Sequence, residues 1–105
     1  MGDLVSFPRL RPEAPPEPLW RTALGQEVRE RRRGRNERLV DVAGRAGISA
    51  QYLSEIERGL KEPSSEMVAA VAGALELRVL DLTVGAVRRL AAGRLRSGEP
   101  VALAA

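Results

Sequence analysis

The 105-residue chain has no cysteine and no histidine, and only one Trp, one Tyr and one Phe. The first two absences remove disulfide frameworks, thiol nucleophiles and the commonest ligands of zinc, haem and iron–sulfur clusters, so no metal or other cofactor is expected. They also remove the usual general base. A carboxylate-only enzyme is not excluded by this, but no carboxylate pair stands out, and no catalytic residue is expected. With aromatics at 3%, Leu, Val, Ile and Ala must fill the core. That suits packed helices better than a sheet. Long apolar runs are missing too; none approaches the ~20 residues needed to span a bilayer. Met1-Gly2-Asp3-Leu4 lacks the basic start and apolar stretch of a secretory signal. A cytoplasmic protein with no membrane partner is expected.

What the chain does have is arginine, unevenly spread. Its net charge is +3, yet positions 21–61 hold ten Arg or Lys against six acids. Positions 62–85 hold one against four, and positions 86–105 four against one. Dense arginine on a helical protein favours polyanions, although a charge run by itself is more often just a solvated face.

Five of the seven prolines precede residue 20. Residues 1–20 are therefore expected to form a disordered, PPII-like arm, with Trp20 docking on the domain. A folded domain is expected over 21–95. Ser97-Gly98-Glu99-Pro100 breaks the pattern and leaves 96–105 as a flexible tail.

Within the domain, apolar spacing and caps predict five helices. The first runs from Arg21 or Thr22 to Gly34, with Leu24 and Val28 inward, arginines at its end and Asn36 as its stop. The second covers Leu39 to Ala46, facing inward with Leu39, Val42, Ala43 and Ala46, and Gly47 ends it. Ser49 caps the third, which runs to Arg58 and stops at Gly59. After Pro63, Ser64 or Ser65 caps a fourth over 65–75. It places Met67, Val68, Val71, Ala72 and Leu75 on one face. The fifth starts near Val79 and reaches the region of Arg94, weakened by Gly85 and Gly93. Leu80, Val84, Val87, Ala91 and Leu95 recur along it, and the stripe of Val84, Val87, Ala91 and Leu95 has two open readings. It is a dimer seam within a helix spanning 79–95, or it packs back onto the first helix.

Helices two and three, joined at Gly47, form a short helix, a glycine turn and a second short helix. The second has an apolar side (Leu53, Ile56) and a polar side (Gln51, Ser54, Glu55). A helix-turn-helix presents its recognition helix to the major groove in this way.

Residues 24–83 resemble the Cro/phage-repressor, or Xre-like, helix-turn-helix domain. The resemblance rests on Leu24-Gly25, Val28-Arg29 and Arg32, then Val42-Ala43 and Ala46-Gly47-Ile48-Ser49. Leu53 through Gly59, Pro63, Leu75 and Leu77 follow in order. Within that family, the run from Tyr52 to Glu66 is similar to actinobacterial regulators of Clp protease genes. The resemblance implies an all-α, five-helix bundle of the lambda-repressor-like DNA-binding type, with a disordered arm and tail. It also implies a double-stranded DNA partner and a homodimer on an inverted repeat.

Site residues follow from both lines. Ala50 and Gln51 open the third helix toward base edges: Gln can bond adenine bidentately, and Ala can meet a thymine methyl. Glu55 points the same way and could accept from cytosine, or is a plain solvated residue. Ser54 joins the base-reading set. Tyr52 flanks it, as a DNA-backbone contact or packed on the second helix. Arg58 and Lys61 lie where a phosphate strand passes. Arg35 and Arg38 precede the second helix, whose N-terminus is an anion site. Arg32 and Glu57 form the structural ion pair implied by the resemblance. The family often carries Gln where Leu39 stands, so one phosphate contact is missing and Arg38 is its substitute. Arg31 stands where the family is often apolar.

Leu103-Ala104-Ala105 resembles the end of the ssrA tag gripped by Clp-family unfoldases. It is a degron contacting Clp protease, or simply an Ala-rich tail. The expected function is a sequence-specific DNA-binding transcriptional regulator, cytoplasmic and nucleoid-associated, with Clp protease genes as candidate targets. The alternative is a helix-turn-helix protein-binding module, an antitoxin or adaptor.

Overall fold

The computed structural model describes residues 19–96, with side chains described through Gly93. The arm read at residues 1–18 and the Leu103, Ala104, Ala105 segment lie outside the described residues. The chain folds as five helices, α1 (Trp20–Gly34), α2 (Leu39–Ala46), α3 (Ala50–Glu57), α4 (Ser65–Ala74) and α5 (Val79–Arg96). The described residues contain no strand.

The expected punctuation sets most boundaries. Gly47 takes a left-handed φ of 76° after α2, and Gly59 takes 75° after α3. Both lie where a side chain would be strained. Asn36, at φ 60°, turns the chain after α1. The Ser64 hydroxyl, rather than Ser65, caps α4 by accepting from the Met67 N–H at 3.2 Å. α1 starts at Trp20, ahead of the expected Arg21 or Thr22, and no side chain caps it. Trp20 remains 37% exposed.

Leu24, Val28, Val42, Leu53, Ile56, Val71, Leu75 and Leu82 are buried almost completely. They come from all five helices, so one core joins them. α1 packs on α3 along one side and on α5 along another, while α2 packs on α3 and α4.

The core face of α5 is one the sequence reading did not single out. Leu82 and Ala86 are the residues buried against the rest of the domain, with Leu90 packed beside them. Leu80, Val84 and Val87 are exposed, and Ala91 is half-buried. Leu80, Val84 and Val87 therefore lie outside the core, and the Leu95 side chain lies outside the described residues. Leu82, Ala86 and Leu90 repeat at the same spacing as the expected stripe, so helical periodicity alone does not choose between two apolar faces.

The α1–α5 seam also holds a buried carboxylate. Glu27 is 8% exposed. It accepts from Arg31 at 2.8 Å and from Arg89 at 3.1 Å, and Arg89 reaches on to Glu30 at 2.6 Å. Burial pushes the Arg89 guanidinium down, but its bonds to Glu30 and Glu27 outweigh this and raise it. Gly85 makes the arrangement possible, because a Cβ there would fall on the Glu27 carboxyl group. A glycine that only lowers helix propensity in the sequence thus has a packing reason in the fold.

Candidate nucleic-acid interface

α3 is short and held at both ends. The Ser49 hydroxyl accepts from the Tyr52 N–H at 3.0 Å, satisfying a donor that the first turn leaves free. Leu53, Ile56 and Glu57 face inward. At about 100° per residue, this turns Gln51, Glu55 and Arg58 outward on one face, with Tyr52 to one side and Ser54 to the other. Gln51, Arg58 and Lys61 are exposed; Tyr52, Ser54 and Glu55 are half-buried. Ala50 is half-buried and packs against the core, so Gln51 and Glu55 hold the centre of the outward face.

Arg32 and Glu57 meet at the far end of α3 in a two-pronged pair, Nε to Oε2 at 2.7 Å and Nη2 to Oε1 at 2.9 Å. Their side chains are 11% and 5% exposed. Arg32 also donates to the Glu37 carbonyl at 2.9 Å. One guanidinium thereby ties α1 to α3 and to the strap leading into α2. The Glu57 bond raises the Arg32 guanidinium despite its burial. α1 comes close enough because residue 25 is glycine: a Cβ there would fall on the Ile56 and Glu57 carbonyl oxygens. The outward face of α3 is thus carried on a rigid frame.

A second set of ion pairs rims the start of α2. Glu37 binds Arg45 at 2.6 Å and Arg35 at 3.0 Å. These bonds, Arg45 first, hold its carboxyl below its ordinary value. Arg45 also donates twice to the Ala74 carbonyl, at 2.8 and 3.1 Å, satisfying an open carbonyl at the end of α4. Arg38 pairs with Asp41 at 3.0 Å, and the Asp41 carboxylate accepts the Arg38 backbone N–H at 3.1 Å. The Arg38 side chain, then its backbone, lowers the Asp41 pKa. Asp41 therefore already occupies the anion position at the N-terminus of α2. Arg35 and Arg38 sit in intramolecular pairs rather than waiting bare for phosphate. Arg38 is 78% exposed, and exposed pairs of this kind exchange partners at little cost.

Arg58 and Lys61 have no carboxylate partner among the described residues. One cation escaped the sequence reading of the site. Arg29, exposed on α1, lines a notch together with Ser54 and Arg58. The available signal was its position three residues before Arg32, on the helix face that meets α3. Among the described residues, no helix is long and apolar enough to cross a membrane.

Comparison with known proteins agrees with this geometry. Residues 27–82 match the helix-turn-helix family model. The transcriptional regulator ClgR of Mycobacterium tuberculosis is 41% identical over 73 residues, which are 70% of this chain. That match spans 65% of the relative's own length, a little under two thirds. The crystal structure of the clp gene regulator ClgR from Corynebacterium glutamicum superposes with a TM-score of 0.76 at 40% identity, covering 79% of this chain and 88% of that one. The P22 c2 repressor, solved in complex with a synthetic operator, superposes with a TM-score of 0.55 at 29% identity, covering 59% of this chain and 94% of that one. By sequence and by fold, the chain belongs to the helix-turn-helix family and, within it, to the group that includes the clp gene regulator ClgR.

Proposed function

We propose that this chain is a sequence-specific DNA-binding transcriptional regulator that places α3 in the major groove. The observation that carries the proposal is the outward face of Gln51, Glu55 and Arg58 on a helix locked from behind by the buried Arg32–Glu57 pair. Gln51 and Glu55 read bases, with Ala50 and Ser54 beside them. Arg58, Lys61 and Tyr52 contact the backbone, and Arg35 and Arg38 join by exchanging carboxylate for phosphate. The regulator works in the cytoplasm, on the nucleoid, and its targets are Clp protease genes, in line with the names of its relatives.

The chain acts as a homodimer joined through Val84, Val87, Ala91 and Leu95 of α5. The exposure of Leu80, Val84 and Val87 supports this seam. A two-fold dimer puts two recognition helices about 34 Å apart on one face of an inverted repeat. Leu103-Ala104-Ala105 is proposed as a contact for Clp protease. Replacing Ala104 and Ala105 with Asp then lengthens the half-life in cells, and an unchanged half-life ends that part of the reading.

The same exposed α5 face favours one other reading, a protein-binding module such as an antitoxin or adaptor. Selection of bound genomic fragments at two salt concentrations separates the two. The regulator recovers a palindrome that Gln51→Ala no longer selects. Uniform weak binding that vanishes with salt is phosphate attraction alone, and it hands the face to a protein partner.

A further inference from the structure

The notch between α1 and the end of α3 has a volume of about 160 Å³ and is lined by Arg29, Arg32, Ser54, Glu57 and Arg58. Its charges are not equivalent. Both Glu57 oxygens are taken by Arg32, which closes that pair on itself. Arg29 and Arg58 remain, both exposed, with no carboxylate partner among the described residues, and Ser54 lies half-buried between the two helices. Three guanidinium groups against one carboxylate leave the lining with a net charge of +2. Two free forks and a hydroxyl around a small opening suit a compact anion with several acceptor oxygens.

We propose that this notch holds one backbone phosphodiester of the bound DNA, with Arg29 and Arg58 as its cationic partners and Ser54 as its hydroxyl donor. The proposal rests on the DNA-binding reading above and deepens it. It adds Arg29 of α1 to the interface, and it moves Ser54 from reading bases to holding the backbone. Ser54 flanks the outward face of α3 on the side toward α1, whereas Gln51 and Glu55 lie at its centre, so a strand leaving the groove on that side passes over the notch. α1 then does more than brace the recognition helix, because it fixes how far α3 enters the groove.

There is a structural competitor. α3 has no basic residue in its last turn, and Arg29 and Arg58 could simply balance the negative end of its dipole. The two readings separate on the intact chain bound to its selected duplex. A phosphate contact predicts that Arg29→Gln lowers the slope of log K against log salt by about 0.9 for each bound protomer. It weakens specific and random duplexes alike and leaves the thermal midpoint unchanged. Methylphosphonate placed at one phosphate per half-site weakens the unaltered protein, costs the Arg29→Gln variant less, and costs the Arg29→Gln/Arg58→Gln double variant almost nothing further. An unchanged salt slope with a lowered thermal midpoint assigns Arg29 to the helix dipole and overturns the proposal. So does a methylphosphonate scan in which the double variant and the unaltered protein lose the same affinity at every position. If the unaltered chain binds no duplex at all, the DNA-binding reading fails and the notch assignment falls with it, whereas failure of the two tests above with duplex binding intact overturns the notch alone.

Discussion

α1 takes part in two seams built from the same parts and finished differently. Against α3 it offers a glycine and an arginine, Gly25 and Arg32; against α5 it offers a carboxylate, Glu27, and receives a glycine and an arginine, Gly85 and Arg89. In the α3 seam, the surface facing the glycine is backbone, and the ion pair is a closed two-pronged contact with both partners buried. In the α5 seam, the glycine faces a side chain, and the ion pairs spread outward to Glu30, which is 71% exposed. The first seam admits one geometry. The second can adjust by turning side chains. On the function proposed above, the helix that presents groups to DNA is bolted, and the helix whose outer face is exposed is hung on a more yielding joint.

Removing one carboxylate from each seam separates the two most strongly. Glu57→Ala is expected to cost about 3 kcal/mol in urea unfolding, because Arg32 is left buried and unpaired. Glu27→Ala is expected to cost about half as much, since Arg31 and Arg89 both reach water once released. Equal losses would erase the distinction between the seams.

The glycines give the next largest contrast. Gly25→Ala sets a methyl group against two carbonyl oxygens that cannot move without shifting α3, and it should cost about 2–3 kcal/mol. At Gly85 the gain in helix propensity, about 1 kcal/mol, offsets much of the cost of swinging Glu27 aside. A thermal midpoint that drops further for Gly85→Ala than for Gly25→Ala would show that the α5 seam is the stiffer one.

Acid tests a surface outside both seams. Glu37 and Asp41 have folded pKa values below their ordinary values of 4.5 and 3.8. The stability they contribute is therefore complete above those values and disappears as pH falls through the lower folded ones. Stability should decline below about pH 5, and Glu37→Gln should flatten that decline. A decline as steep in the variant would mean that the acid sensitivity lies with carboxylates elsewhere. The smallest effect belongs to the outer edge of the α5 seam. Glu30→Gln should change stability by less than ~0.5 kcal/mol, because Glu30 is mostly solvated. A larger loss in chemical unfolding would make the Arg89 network one rigid unit.

How much of this was legible in the sequence depended on distance along the chain. Caps and stops are local, so Gly47, Ser49, Gly59 and Ser64 marked their helices well, and the five-helix order followed. The outward face of α3 could also be read, since Leu53 and Ile56 define its opposite side. The Glu27–Arg89 contact joins residues 62 positions apart, and no periodicity announces it. The same holds for Arg45, whose partner is a carbonyl at the end of α4. The core face of α5 went unread for a different reason. The helix carries apolar residues on two sides, and only the position of α1 decides that Leu82 and Ala86 go inside while Val84 and Val87 stay out. Ala50 looked free because it opens a helix, yet the packing beneath draws it partly inward.

The close approach at Gly25 bears on how such a protein can diversify. Every other amino acid brings a Cβ, so position 25 is an alphabet of one letter. A library randomised there and sorted for folded protein should return glycine and little else. Position 51, open to solvent at the front of the same frame, is an alphabet of many letters. On the function proposed above, drift can therefore rewrite what the domain recognises one exposed residue at a time, while the part that keeps the text legible has almost nothing to mutate into.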